Sequence, residues 1–445
     1  MNKESIKSAI LVILVVISLF FTWNMWSLEP TYEKFEGEML FESVPIDEDA
    51  QRKMYEVITP QQIFIHSGDK HYSSIKDSYA KSLWKEMQNW EYSNQQGLSK
   101  QDFEEIVSGT NIARLELRFF DEIPIETFQS MIKWKDETSS LFAFDRIYLR
   151  VVKQNEIQKV YFVSASEKEI VEASVNNLDA NVFVSDLFSK REQFQPYFAF
   201  QAGEDQEILL PENQLEVDNF QYFTEVIDDE KFKNALFSRP RIVKQDVNST
   251  RNRYTDATRE LNIYQAQHLV KFANPTLRIS NSVDAYTLFE QSYNYLNDHG
   301  GWTDKYVLFD IAESEQEVSM IMSIESIPVI NSMESPYGPT KITQTWGQNE
   351  IAIYQRPSYQ LMHPPLTNNS TTLMSGRKVV EIIQNNQLID ASQIYNIFIA
   401  YELGSSDKEQ IVTVSPVWCI KMKNGELMKV REILEQTVGD ENGVE

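Results

Sequence analysis

Cysteine is nearly absent, and the single Cys419 excludes a disulfide framework and any cysteine-based zinc cluster. Glycine is scarce as well, with 14 residues in a chain of 445. Neither a phosphate-cradling glycine loop nor a Gly-x-Ser-x-Gly nucleophile turn occurs among them. Positive charge is in short supply: 41 Lys and Arg face 66 Asp and Glu, for a net charge of −25. No basic run exceeds a dipeptide, so the phosphate-neutralising face that nucleic acid binding requires is missing. What the chain does have is apolar and aromatic mass, 42% and 12% of its residues, which can fill a sizeable core and excludes wholesale disorder.

Charge is also absent from residues 9–28, AILVILVVISLFFTWNMWSL. Twenty helical residues span about 30 Å, the thickness of a bilayer's hydrocarbon core. Twelve of the twenty are Leu, Ile, Val or Phe, and at roughly −0.4 kcal/mol each they favour insertion by about 5 kcal/mol. Lys3 and Lys7 on the near side and the interfacial rings of Trp23 and Trp26 on the far side orient such a helix with its amino end in the cytoplasm. No pair of small residues follows the apolar run, so an uncleaved anchor is expected rather than a signal peptide. Residues 1–8 then form a cytoplasmic tail, and the chain beyond Leu28, with a net charge of −26, lies outside the cell.

The remainder reads as an α+β ectodomain in three parts, each of small antiparallel sheets packed with helices. Residues 29–57 are an acidic linker, with nine acidic and three basic residues up to Glu56. A first domain, 58–205, opens with a strand at Gln62–His66 and a helix from Tyr79 to Trp90, whose apolar residues share one face. A strand at 113–120 and a hairpin of 146–152 with 159–164 follow, and 167–175 is expected to be a short helix. A central domain, 206–280, carries a helix at 229–237 and short strands between Asn-rich turns. The third, 281–430, starts with a helix at 282–299 capped by Asn281 or Ser282 and ended by Gly300-Gly301. Strands at 306–311, 320–326, 341–346, 350–356, 394–403 and 410–421 and a helix at 376–385 complete it, before a frayed acidic tail at 431–445.

Candidate chemistry is thin. His66 and His71 stand five apart, a spacing that places two ligands on opposite faces of a strand and poorly together on a helix. A general base at His299 beside Asp298 is one reading, but the same residues are expected to make a helix C-terminus, where an imidazolium complements the dipole and glycine supplies the left-handed turn. Cys419, after Trp418 in an apolar strand, is expected to be a buried, inert thiol. No catalytic, cofactor-binding or metal-binding residue is assigned. Acids such as Glu104, Glu105, Asp121 and Glu122 leave a paired-carboxylate glycosidase acting on the cell wall as one alternative. A ligand or peptide sensor using Trp302 or Trp346 is another.

Five segments, in order and end to end, resemble the YycH family: NKESIKSAILVILVVISL at the amino end, ITPQQIFIH at 58–66, YNYLNDHGGWTDKYVLF at 293–309, ITQTWGQNEIAIYQRP at 342–357 and SPVWCIKMKNGE at 415–426. That family comprises membrane-anchored regulators of the WalK sensor histidine kinase of the WalK/WalR two-component system. The resemblance implies a non-enzymatic, single-pass protein of the cell membrane that regulates a kinase controlling cell-wall metabolism. It further implies transmembrane helix contacts with that kinase and with a YycI-like partner, no cofactor, and no catalytic residues to carry over. On the helix itself, Leu11, Leu14, Ser18, Thr22 and Met25 fall on one face, with Ser18 and Thr22 as its hydroxyls. Such residues mark close helix contacts in lipid; if the face meets lipid instead, the two hydroxyls bond only their own helix carbonyls.

Overall fold

The computed structural model describes residues 45–441, apart from 48–49, 77, 110–111, 136–141, 153–157, 177, 204–205, 249, 280–282, 333–336, 348, 387–388 and 406–409, together with positions 14, 15, 17 and 18. The chain divides into Met1–Ser43 and Val44–Glu445. In the first unit, Leu14, Val15, Ile17 and Ser18 are helical and exposed. Among the described residues no helix is long and apolar enough to cross a membrane. The rest of the expected anchor, including Lys3, Lys7, Leu11, Thr22, Trp23, Met25 and Trp26, lies outside the described residues.

In the second unit, local sequence sets the helices. Ser78–Met87 buries Ala80, Leu83, Trp84 and Met87 on one face, each larger side chain contributing about 1.5–3 kcal/mol. Lys100–Ser108 starts at Ser99, whose hydroxyl caps Asp102 while the Asp102 carboxylate accepts from the Ser99 amide. The helix expected from 282 begins at Ala285, because Asp284 accepts from the Thr287 amide at 2.9 Å; the expected caps Asn281 and Ser282 fall outside the described residues.

The strands form two large sheets rather than several small ones. The first has ten strands, in the order Glu207–Pro211, Gln195–Gln201, Lys70–Ser73, Gln62–Ser67, Arg114–Pro124, Ala143–Arg150, Gln158–Ser164, Glu169–Val175, Glu91–Gly97 and Lys133–Trp134. The second has fourteen. In it, Leu269–Ala273 pairs with Ile351–Pro357, and Leu215–Val226 lies between Ile411–Met422 and Tyr359–Leu373. Strands from both 206–280 and 281–430 are thus hydrogen-bonded in one sheet. Almost all pairing is antiparallel; Ile327–Asn331 against Ile394–Ser405 is a parallel exception. Phe120 of the first sheet meets Phe309 and Phe398 of the second at ring separations of 5.7 and 6.0 Å.

Four expectations are corrected. Residues 169–175 form a strand, not a helix: Val171 and Ala173 pair with Phe162 and Val160, and because both faces are covered the period-two alternation is hidden. The strand Tyr359–Leu373 went unread because its Pro364-Pro365 and its polar run Thr367 to Thr372 look like loop. It is tolerated at the sheet edge, where a missing amide breaks no ladder. The acidic C-terminus continues as the helix Val430–Glu441, held by buried Ile433. The described part of the acidic linker is packed rather than solvated, with Ile46, Ala50 and Val57 buried.

Gly300 makes that packing possible. Its φ of +63° is left-handed, and a Cβ there would sit 2.1 Å from the Asp47 carbonyl oxygen. Gly300→Ala is expected to cost about 2–4 kcal/mol, from backbone strain plus forced displacement of the segment around Asp47. Urea denaturation measures the loss, and limited proteolysis should show new cleavage near residue 50.

Candidate functional site

The helix end Asn297–Asp304 builds a polar hub. Asn297 Oδ1 accepts from the Arg52 amide at 3.0 Å and from Trp302 Nε1 at 2.8 Å, while its Nδ2 donates to the Arg52 carbonyl at 3.1 Å. Tyr293 donates to the same carbonyl at 2.8 Å. The Arg52 guanidinium reaches the Asp304 carbonyl at 3.2 Å. Arg356, fully buried, donates to the Gly301 carbonyl at 2.8 Å, Thr303 Oγ1 at 2.6 Å, the Tyr354 hydroxyl at 3.3 Å and the Pro357 carbonyl at 3.2 Å. Asp304 accepts from the Leu361 amide at 3.1 Å. Burial pushes its carboxyl up to about 7, against the opposing pull of that amide and of Arg356 and Arg52.

A cleft of about 370 Å³ opens beside Asp304. Phe220, Tyr222, Met322 and Leu361 are its buried apolar walls, and Ser323 joins Asp304 as a buried polar member. Lys81, Glu325 and His363 are its exposed members, and Lys305 is half-buried. Tyr222 packs edge-on against His363 at 5.2 Å and lies 6.0 Å from Phe220. Burial pushes the Tyr222 hydroxyl up to about 12, with Glu325 and Asp304 adding to the shift. Glu325 and Ser326 form a two-residue hairpin turn with both φ positive, +52° and +63°, unusual for residues other than glycine. A larger hollow of about 590 Å³ lies by Lys341 and Lys429. Its Lys429 is already paired at 2.7 Å with both Glu402 and Glu432.

The residues singled out from sequence are dispersed. His66 and His71 are not on opposite faces of one strand: the chain folds back at Gly68, sets them directly across a hairpin and brings their Nδ1 atoms to 2.8 Å. His66 Nε2 lies 2.8 Å from the buried Glu116 carboxylate. Burial alone would raise that carboxylate, but Arg118, His66 and Arg146 hold it well below the usual range. His66 Nε2 is therefore the donor and its Nδ1 the acceptor from His71. Burial pulls His66 down to about 4. Among the described residues no group of three His, Cys, Asp or Glu could hold a metal ion.

His299 is not an imidazolium at a helix end. Burial, with Arg356 nearby, pulls it down to about 3, so it is neutral, and Nδ1 donates to the Tyr295 carbonyl. Trp302 and Trp346 are buried anchors, the latter donating to Ser292 Oγ at 2.8 Å, and neither offers a binding surface. Cys419 is buried and its thiol is pushed up to about 12 by burial. Glu104 and Glu105 are exposed on a helix. Asp121 accepts from the Ile311 amide at 3.1 Å, and burial, with Asp310 adding, pushes it up to about 7 despite Lys421. The cleft itself went unread, because Phe220, Tyr222, Asp304 and Glu325 come together only through strand pairing.

Two family models cover most of the chain: the YycH protein N-terminal domain at residues 4–192 and the YycH protein C-terminal domain at 205–436. The chain is 34% identical, over its whole length and that of the relative, to the Two-component system WalR/WalK regulatory protein YycH of Bacillus subtilis strain 168. The crystal structure of YycH from Bacillus subtilis superposes with a TM-score of 0.75 at 31% identity, covering 85% of this chain and 97% of that one.

The folded Asp304 carboxyl keeps its proton to about pH 7, whereas an unfolded one releases it near 3.9. Its contribution to stability is therefore full at low pH and lost as pH rises from about 4 to 7. His66 and His299, lowered from an unfolded value of about 6.5, work in the opposite direction, costing stability as pH falls below it. Asp304→Asn should gain stability relative to wild type across that window, by up to about 1.4 kcal/mol per pH unit. Urea titrations of both proteins at successive pH values check this, and parallel curves would show that Asp304 does not titrate there.

Proposed function

The chain belongs to the YycH family, and from that membership we propose that it regulates a WalK-like sensor histidine kinase from outside the cell membrane. The observation that carries the reading is the similarity over the entire length to a regulatory protein of the WalR/WalK system, amino-terminal apolar run included. In this proposal residues 1–8 are cytoplasmic and 9–28 cross the membrane once. Residues 29–57 link the anchor to folded parts at 58–205, 206–280 and 281–430, with 431–445 at the end. The Leu11, Leu14, Ser18, Thr22 and Met25 face meets the kinase and a YycI-like membrane partner, and kinase output is tied in this way to cell-wall metabolism.

The protein acts in this reading without catalysis. Supporting it, Asp121, one of two carboxyls that burial pushes up to about 7, accepts a backbone amide at the junction of the two sheets.

Co-purification from detergent-solubilised membranes is expected to recover a sensor kinase, with the mature amino terminus at or next to Met1. Two helices meeting at the Ser18/Thr22 face gain close packing and hydrogen bonds of about 0.6 kcal/mol each. Ser18→Leu with Thr22→Leu preserves insertion and is expected to abolish kinase recovery, while Val12→Leu with Val16→Leu retains it. Equal recovery by both double variants would move recognition to the ectodomain, and an amino terminus near residues 24–31 would remove the anchor.

A further inference from the structure

The strand Tyr359–Leu373 closes one end of the fourteen-stranded sheet: Leu215–Val226 pairs with its inner side, and among the described residues nothing pairs with its outer side. Free strand edges are normally guarded by charge, proline or a bulge, because they offer a ready ladder to another chain. Here only the first half is guarded, by Pro364 and Pro365, which fall where the register to Leu215–Val226 breaks between Met362 and Thr367. From Thr367 to Leu373 the pairing is continuous, and Thr367, Asn369, Ser370 and Thr372 are exposed. No Asp, Glu, Lys or Arg occurs from Pro357 to Gly376, twenty residues in a chain of which 24% are charged, and no other uncharged run beyond Leu28 is as long. The carboxylates of Glu216 and Asp218 stand one strand inward, opposite Thr372 and Ser370, and Glu216 accepts from the Thr372 hydroxyl.

That composition selects the occupant. A partner of different sequence would be drawn to this acidic chain by opposite charge, and the edge would then carry acids of its own to meet it. In a two-fold contact between identical chains each charge near the axis faces its own copy, so a neutral strip is what the symmetry requires. We propose that Thr367–Leu373 pairs antiparallel with the same segment of a second copy of this chain, about a two-fold axis through Ser370, joining two fourteen-stranded sheets into one. In this register Ser370 faces Ser370, Asn369 faces Thr371 of the second copy, and Leu366, 43% exposed, faces Met374 of the second copy, so polar meets polar and apolar meets apolar. Salt at physiological strength screens charges farther apart than about 8 Å. A single pair of strands is a small interface, so the dimer is expected to exchange rather than be permanent. The inference does not rest on kinase regulation, and its test involves no kinase.

Because Cys419 is buried and is the chain's one cysteine, Ser370→Cys introduces a single accessible thiol. Directly opposite residues of an antiparallel pair have Cα atoms about 4.5–5.5 Å apart, within disulfide reach. Membranes carrying the full-length Ser370→Cys protein, oxidised with copper phenanthroline, are expected to give a reducible band at twice the chain mass, while Ala266→Cys, at an exposed turn, stays at the single mass. In a second experiment two differently tagged full-length copies are coexpressed and recovered through one tag. Ser370→Lys sets two lysines face to face on the axis, and is expected to cut recovery of the other copy about fivefold while leaving the unfolding temperature unchanged. A crosslinked band only at some other mass would assign the edge to a different protein. That result, no crosslinked band, equal crosslinking by Ala266→Cys, or undiminished recovery with Ser370→Lys would each overturn the proposal.

Discussion

A fully buried arginine organises the second sheet and what is docked on it. Burying a guanidinium is costly unless its donors are met, and Arg356 finds two carbonyls and two hydroxyls within 3.3 Å. Satisfying it fixes the path of Gly301–Thr303, and with it the end of the helix Ala285–Asp298. Asn297, placed by that helix end, then holds both backbone groups of Arg52. The segment 45–57 is thereby tied to the second sheet, and Trp84 Nε1 ties it to the first by donating to the Tyr55 carbonyl at 3.0 Å.

The same hub explains the unusual electrostatics around it. Asp304 and His299 sit where solvation is lost, and each responds by favouring its neutral form. The Asp304 carboxyl is at once part of the hub, through the Leu361 amide, and part of the cleft. The segments 293–309 and 342–357, which carry much of the family resemblance, supply Asn297, Trp302 and Asp304 on one side and Tyr354 and Arg356 on the other. Their likeness to the family has a packing reason.

Several elements were legible locally. The helix at Ser78–Met87 announces itself by the spacing of Leu83, Trp84 and Met87, the turn after Asp298 by Gly300, and strands such as Tyr306–Ala312 by short apolar runs. Misreadings have equally specific causes. Residues 169–175 hide their period because both faces are covered. Tyr359–Leu373 hides behind prolines that an edge tolerates. The spacing of His66 and His71 carries no sign that the chain folds back at Gly68 and sets the two rings opposite one another.

The sequence by itself determined the α+β class, the family, the inert setting of Cys419 and the apolar character of residues 9–28, because each depends on composition, local period or ordered motifs. Only the tertiary structure decided the two-sheet architecture, the docking of residues 45–57, the neutral state of His299 and the cleft of Phe220, Tyr222, Asp304 and Glu325. Those depend on contacts between residues up to about 250 positions apart, such as Arg52 with Asp304. No local pattern specifies which strands will pair, and the cost of burying a charge is known only once its surroundings are assembled.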